Sequence, residues 1–373
     1  MKIWQGSRLW VVFCLFGLIF LSHSCSNSDS GSDSNSNSDS GPGDYQNKEF
    51  VAQEFSPAPS KGINQVLVLL VNFSDTQPIF TSEDFYNFFF GEEGNSFRNY
   101  YRTVSYGNLD LEGEVIGWLQ ASHSHDFYGG GYGQEALNYP GNISGLVEEA
   151  IDLAEKQGVD FSRYDNNGDG WVDSLIIVHQ GLGGETTKNK ADIWSTVSTL
   201  SIGGAHPRIY DGVKIEYFAI LPELSRSDPP TILTLGPAVH EYGHLLGMID
   251  LYSWAGKNPD TDIALSIGVF GVMSYGVYGG DLKSPNQSVE PSVFHKLFLG
   301  WIEPLPAVGD TIITLPSLAQ MPIAIKVPFG SDPSEYFLIS YRKKQGFDKK
   351  LPSEGVFIWH IAVSYTHLTL PTN

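Results

Sequence analysis

The chain has 373 residues, 41% of them apolar, which is enough to bury a full core and too many for a wholly disordered protein. Its 42 acidic residues against 22 basic ones give a formal net charge of −20 at pH 7. A field of that sign repels phosphate backbones and anionic lipid surfaces, which argues against nucleic acid or an acidic membrane as the natural partner.

Lys2 and Arg8 precede an apolar run from Leu9 to Leu21. The run is short for a bilayer crossing and the right size for the core of an export signal, so residues 1–25 read as a signal peptide. Both cysteines, Cys14 and Cys25, lie here, which leaves no disulfide and no thiol nucleophile after residue 25. Leu21-Ser22-His23-Ser24-Cys25 resembles a lipoprotein processing box with its leucine one place too far from the cysteine. A lipid anchor on Cys25 and ordinary cleavage near Ser24 are both open. Residues 26–60 read as a disordered spacer, since Ser, Asn, Asp and Gly up to residue 45 cannot repay the entropy of ordering a backbone.

The folded body begins with Gln65 to Phe73, QVLVLLVNF, a continuous apolar run that predicts a buried strand. Thr81, with Asp84 three places on, caps a helix through Phe90. A second helix is expected over Asn95–Val104, a less buried strand over Leu109–Trp118, and irregular chain over Gly129–Gly133. Ile143, Leu146, Val147, Ala150, Ile151 and Ala154 form one stripe, so residues 143–157 predict a helix backing a sheet and ended by Gly158. In YDNNGDGWVDSLIIVHQG, the residues Asp165, Asn167, Asp169, Gly170 and Asp173 follow the first nine positions of a calcium loop. Position twelve is Ile176 rather than glutamate, so the alternatives are a Ca2+ site and a polar turn feeding a strand over Trp171–Val178.

Pro237 introduces a helix that carries His240-Glu241-Tyr242-Gly243-His244. Histidines four apart share one helix face, so both imidazoles can meet a single zinc ion, Zn2+. Glu241 is placed to act as general base toward an attacking water. Gly247 ends the helix and turns the chain back, offering Asp250 as a third, oxygen ligand. Gly271 to Gly276 is a tight turn whose Met273 either gives the metal site an apolar floor or is an ordinary core methionine, and whose Tyr275 either offers a hydroxyl to a developing oxyanion or packs as an aromatic against the turn. His179 reads as a polar residue ending a buried strand; His123 and His125 read as rim residues.

HEYGHLLGMIDLY followed by GVMSYG resembles the metzincin-type zinc peptidases and, within them, the M6 family, over nearly all of residues 62–362. VLVLLVNFSD, YYRTVSYGNLDLEGEV, the acidic loop, Tyr217–Glu223, LFLGWIEP and EYFLISYRKKQGFDKKLPSEGVFIWHI are similar blocks. The resemblance implies a zinc endopeptidase with His240, His244 and Asp250 as ligands, Glu241 as base and acid, and Met273 in the Met-turn. Two positions depart from the family pattern: Ser340 stands where glutamate is expected, and no aspartate follows His360-Ile361.

The expected fold is α+β: a metzincin-like zincin domain over residues 61–302, with a mixed sheet, backing helix and active-site helix, its cleft lying below an edge strand that can pair with an extended peptide. A small β-rich C-terminal subdomain follows over 303–362, with Val293–Leu299 helical and strands over Thr311–Leu315, Ile323–Val327 and Tyr336–Tyr341. Residues 363–373 share no pattern with what precedes them and read as a non-native tail on a truncated chain. A protein or peptide substrate is the expected partner, reached after export to the cell envelope or beyond. A catalytically silent binding module and a zinc hydrolase of non-protein amides are the rival readings.

Overall fold

A computed structural model describes residues 57–129, 138–189, 191–252, 267–307, 309–310 and 312–362. The signal and lipid-box readings, most of the spacer, the glycines at 130–133 and the tail from 363 lie outside the described residues. Among the described residues no helix is long and apolar enough to cross a membrane.

The first apolar run becomes β1 (Gly62–Asn72), with Val66, Val68 and Leu70 facing one core and Leu67, Leu69 and Val71 another. A strand covered on both faces needs an unbroken apolar run, not an alternating one. α1 (Ser82–Phe90) opens with the expected capping box: Thr81 Oγ1 accepts from Asp84 N at 3.2 Å and Asp84 Oδ2 accepts from Thr81 N at 2.8 Å. α2 (Phe97–Val104) starts two residues later than expected, because the Ser96 side chain takes the cap by accepting from Asn99 N. β2 (Leu109–Gln120) lies parallel to β1 at the sheet edge. After the single turn α3 (His125–Tyr128) comes α4 (Ile143–Lys156), which buries Leu146, Val147, Ala150, Ile151 and Ala154 on the β1 face opposite α1 and α2. Each large aliphatic side chain buried there contributes about 1.5–3 kcal/mol.

β3 (Leu175–Leu182) begins four residues later than expected. Val172 N bonds to Lys214 O and Asp173 N to Tyr164 O, so Trp171 and its neighbours pair outside the main sheet. Next come α5 (Gly184–Thr187), β4 (Thr196–Thr199), the hairpin β5 (Arg208–Tyr210) and β6 (Val213–Ile215), then β7 (Tyr217–Ser227), β8 (Pro230–Ile232) and α6 (Leu235–Leu245). The main sheet runs β2-β1-β3-β7-β4, with β8 beside β7. Its first four strands are parallel, while β4 and β8 are antiparallel to β7. α6 packs with α1 and α2 through Ala238, Val239, Tyr242 and Leu245.

α7 (Val293–Phe298) leads into a second sheet of β9 (Leu305–Pro306), β10 (Ile325–Pro328), β11 (Glu335–Arg342) and β12 (Gly355–Ala362), ordered β12-β11-β10-β9. The strand expected over Thr311–Leu315 does not form: 312–315 have no regular structure, and Ile312 is fully exposed, so its apolar residue found no face to cover. β9 takes the place beside β10. The arrangement is the expected α+β one: a mixed sheet between a backing helix and the HEYGH helix, followed by a small β-rich part whose core around Leu338, Phe357 and Trp359 also takes in Leu251, Ile267 and Val293 of the preceding part.

Candidate active site

α6 is anchored before it offers any chemistry. Tyr242 OH lies 3.0 Å from Ser174 Oγ, and Tyr101 OH donates to Val239 O at 2.6 Å. Beneath the two histidines the helix must be thin: a Cβ on Gly243 would lie 2.5 Å from Met248 Cε and 2.8 Å from Met273 Sδ. Met273 is fully buried and presses on the helix at that point. Gly247 N donates to His244 O and Met248 N to Gly243 O, both at 2.9 Å, with Gly247 at φ +88. That pair of bonds ends the helix on a left-handed residue, where glycine is strain-free.

The bend brings Asp250 back over the helix. Asp250 Oδ1 lies 3.3 Å from His240 Nε2 and 3.5 Å from His244 Nε2. Each histidine spends its other ring nitrogen on a carbonyl: His240 Nδ1 on Val272 O at 3.0 Å, His244 Nδ1 on Met248 O at 2.8 Å. A carbonyl only accepts, so Nδ1 carries the proton in the neutral ring and the Nε2 lone pair faces Asp250. Asp250 Oδ1 is buried and makes no hydrogen bond despite those short distances, since in this tautomer both Nε2 atoms present lone pairs to it and not protons. The three donor atoms lie within 4.8 Å of one another, and among the described residues this is the group of His, Asp and Glu side chains fit to hold a metal ion. Two imidazoles and a carboxylate whose buried oxygen is unpartnered are the donor set of a divalent cation.

The charges show the same strain. Burial opposes charge on His240, but the adjacent Asp250 carboxylate and Glu241 outweigh it and raise its pKa to about 9. Burial, aided by the charge on His240, lowers that of His244 to about 4. Asp250 is held below the usual carboxylate range: burial would raise it, and the two histidines overcome that. Burial pushes the Glu241 carboxyl up to about 7, with His240 pulling it down and Asp250 and Glu185 pushing it up. The Val197 N–H, on the edge strand β4, also bears on Glu241 and favours its charged form.

Tyr275 stands just past Met273, its ring 6.3 Å from that of Tyr252, two residues beyond Asp250. Three further residues stand near the site without any expectation from the sequence. Tyr278 is raised by burial and by the charges of Glu185 and Glu241, and Glu185 accepts from Ser195 Oγ at 2.6 Å. His295, on α7, is 1% exposed with no hydrogen bond to either ring nitrogen. Burial, helped by charge on His244, lowers its pKa to about 3. Tyr278, Glu185 and His295 sit at no motif spacing, so a single sequence carries no signal for them.

The remaining candidates lie elsewhere. His123 stacks on Phe127 at 3.9 Å, and His125 Nε2 is 3.7 Å from Asp192. His179 is fully buried; Nδ1 is 3.0 Å from Gln180 O, while Nε2 makes no hydrogen bond. The acidic loop is organised from within. Asp165 accepts from the N–H groups of Gly168, Asp169 and Gly170, Asn167 Oδ1 from Asp169 N, Asp169 from Trp171 N, and Asp173 from Asn166 N. Asn166, absent from the calcium pattern, docks the loop on β1 through both the N–H and C=O of Gln65. The loop carboxylates do not gather as the His240 group does.

Fold and site define a zincin-like protein with a metal-suited centre on its HEYGH helix. The family model of the immune inhibitor A peptidase M6 catalytic domain matches residues 55–302, and the chain belongs to that family. Immune inhibitor A of Bacillus thuringiensis subsp. alesti is 28% identical over 278 residues, covering 61% of this chain and 39% of that protein. The pre-pro-metalloprotease PrtV of Vibrio cholerae is 29% identical over 213 residues, covering 52% of this chain and 22% of that protein. The chain thus spans well under half the length of these relatives.

Proposed function

We propose that this chain is a zinc-dependent endopeptidase acting on extracellular or envelope proteins. The observation that carries the reading is the convergence of His240 Nε2, His244 Nε2 and an Asp250 oxygen within 4.8 Å, beside the buried Glu241 carboxyl. His240, His244 and Asp250 would hold the ion, which when bound supplies Lewis-acid polarisation of the scissile carbonyl and acidifies water. Glu241 takes a proton from the attacking water and returns it to the leaving amine, one carboxyl serving as base and then as acid. The outer edge of β4 pairs with an extended substrate and lays its peptide bond over Glu241. Tyr275 donates its hydroxyl to the oxyanion. Membership of a peptidase family and a relative named as a metalloprotease support the same reading.

The test is cleavage of a diverse peptide library by purified residues 46–362, with and without a zinc chelator. Chelator-sensitive cleavage within peptides is expected; cleavage indifferent to metal, or activity only on non-protein amides, would overturn the assignment. Export rests on the run from Leu9 to Leu21. Mass spectrometry of the N-terminal peptide from cells separates a lipidated Cys25 from ordinary signal cleavage near Ser24 that leaves no lipid.

A further inference from the structure

The turn that carries Met273 is held by the C-terminal sheet. Its backbone touches the metal site at three points. Val272 O accepts from His240 Nδ1 at 3.0 Å, Met273 O accepts at 2.7 Å from the N–H of Leu251, the residue after Asp250, and Ile267 N donates to Leu251 O at 3.1 Å. The tilt of the His240 ring and the reach of Asp250 therefore depend on where the 267–273 backbone lies. That backbone is fixed in turn at Phe270, whose carbonyl accepts a hydrogen bond from Arg342 Nη1 at the end of β11.

Arg342 is 1% exposed, and the rest of its guanidinium grips Asp348: Nε to Oδ2 at 2.7 Å, Nη2 to Oδ1 at 2.5 Å. A bidentate pair leaves the fork one orientation, so Nη1 can point in only one direction. Asp348 Oδ1 also accepts from Glu290 N at 3.1 Å, tying the pair to the chain beyond the turn. The Phe270 ring lies 5.0 Å from Phe357 of β12, on the same side. A buried ion pair is weak as a source of stability compared with apolar residues of its size, but strong at fixing geometry.

We propose that Arg342 and Asp348 are positioning residues of the metal centre: the C-terminal sheet clamps Phe270 O and, through the 267–273 backbone, presets His240 Nε2 and Asp250 Oδ1 for the ion. The inference rests on the zinc-site reading above. It makes residues beyond the matched span 55–302 part of what builds the site.

The experiment uses the full chain. Arg342→Lys keeps a charge beside Asp348 but cannot fork between Asp348 and Phe270 O. Asp348→Asn, of equal volume, loosens the fork and serves if Arg342→Lys does not fold by circular dichroism. The control is Arg208→Lys, which loosens another bidentate pair, Arg208 with Asp152 at 2.9 and 3.0 Å between β5 and α4, with no bond to the turn. Zinc affinity is read by competition with a chromophoric chelator, and coordination by the visible spectrum of the Co2+-loaded protein. Arg342→Lys is expected to weaken zinc about 10–100-fold, the range for loss of a group that orients a ligand, and to shift the Co2+ bands. The control should leave both within about threefold of wild type, below that range. Wild-type affinity and spectrum in folded Arg342→Lys or Asp348→Asn, or an equal loss in the control, would overturn the proposal. A wild-type chain that takes up no stoichiometric zinc strikes instead at the zinc-site reading beneath it.

Discussion

Two stretches of this chain have the spacing of cation ligands, and they fold in opposite ways. In α6 and its following bend, each histidine gives Nδ1 to a carbonyl, which leaves Nε2 and Asp250 Oδ1 facing one another without a hydrogen bond. In the loop from Asp165 to Asp173 the side chains accept from the loop's own amides, three of them on Asp165 alone. One stretch uses its backbone to free donor atoms; the other uses donor atoms to hold its backbone. Accepting amides does not by itself spend a carboxylate, which has about four acceptor sites, so what sets the two stretches apart is that only the first gathers its donor atoms within 4.8 Å.

The sharpest break of the comparison lies in the first stretch. Glu241→Gln should lower kcat by about 10²–10⁴-fold, the usual worth of a general acid–base group, while zinc stays bound at wild-type stoichiometry. Retained cleavage would remove Glu241 from the chemistry.

His179 is a buried imidazole that also gives Nδ1 to a carbonyl and leaves Nε2 unbonded, but among the described residues no carboxylate lies within ion-pair distance of it. Burial lowers its pKa to about 4, with His125 pushing the same way and Asp192 opposing. The folded pKa lies below the unfolded value of about 6.5, so the unfolded chain binds the extra proton between those limits. The His179 contribution to stability should be full above pH 6.5 and fall by up to about 3 kcal/mol as pH drops toward 4, since a tenfold change in proton affinity is worth about 1.4 kcal/mol. Urea melts of the zinc-loaded chain should show a flatter acid limb in His179→Gln; an unchanged slope would contradict the depressed pKa.

In the second stretch, Asp165→Ala strips partners from three amides and should cost about 1–3 kcal/mol in chelator-treated protein. A loss that appears only after calcium is added would move the loop into the same class as the metal helix. The smallest effect is expected at the bend: Gly247→Ala puts a side chain on a left-handed residue and should cost about 1–2 kcal/mol, read as a lower Tm.

Much of the site is legible in the sequence. His240, His244, Asp250 and the turn bearing Met273 can be read there because an α-helix fixes which residues share a face and a glycine marks where it ends. The capping box at Thr81, the unbroken run of β1 and the stripe of α4 are legible for the same reason, as local periodicity and local hydrogen bonding. The strand expected at Thr311–Leu315 is a different case, since an apolar residue becomes a strand residue only if another face covers it, and nothing covers Ile312.

Local order along the chain therefore determined the secondary structure of the core, the pair of imidazoles and the bend that returns Asp250. The tertiary structure alone decided which ring nitrogen each histidine keeps, that the acidic loop bonds to itself, and that Arg342, far beyond Met273 along the chain, steadies the turn at Phe270. The reason is physical: periodicity reports contacts within a few residues, whereas a hydrogen bond between distant segments depends on the whole packed core.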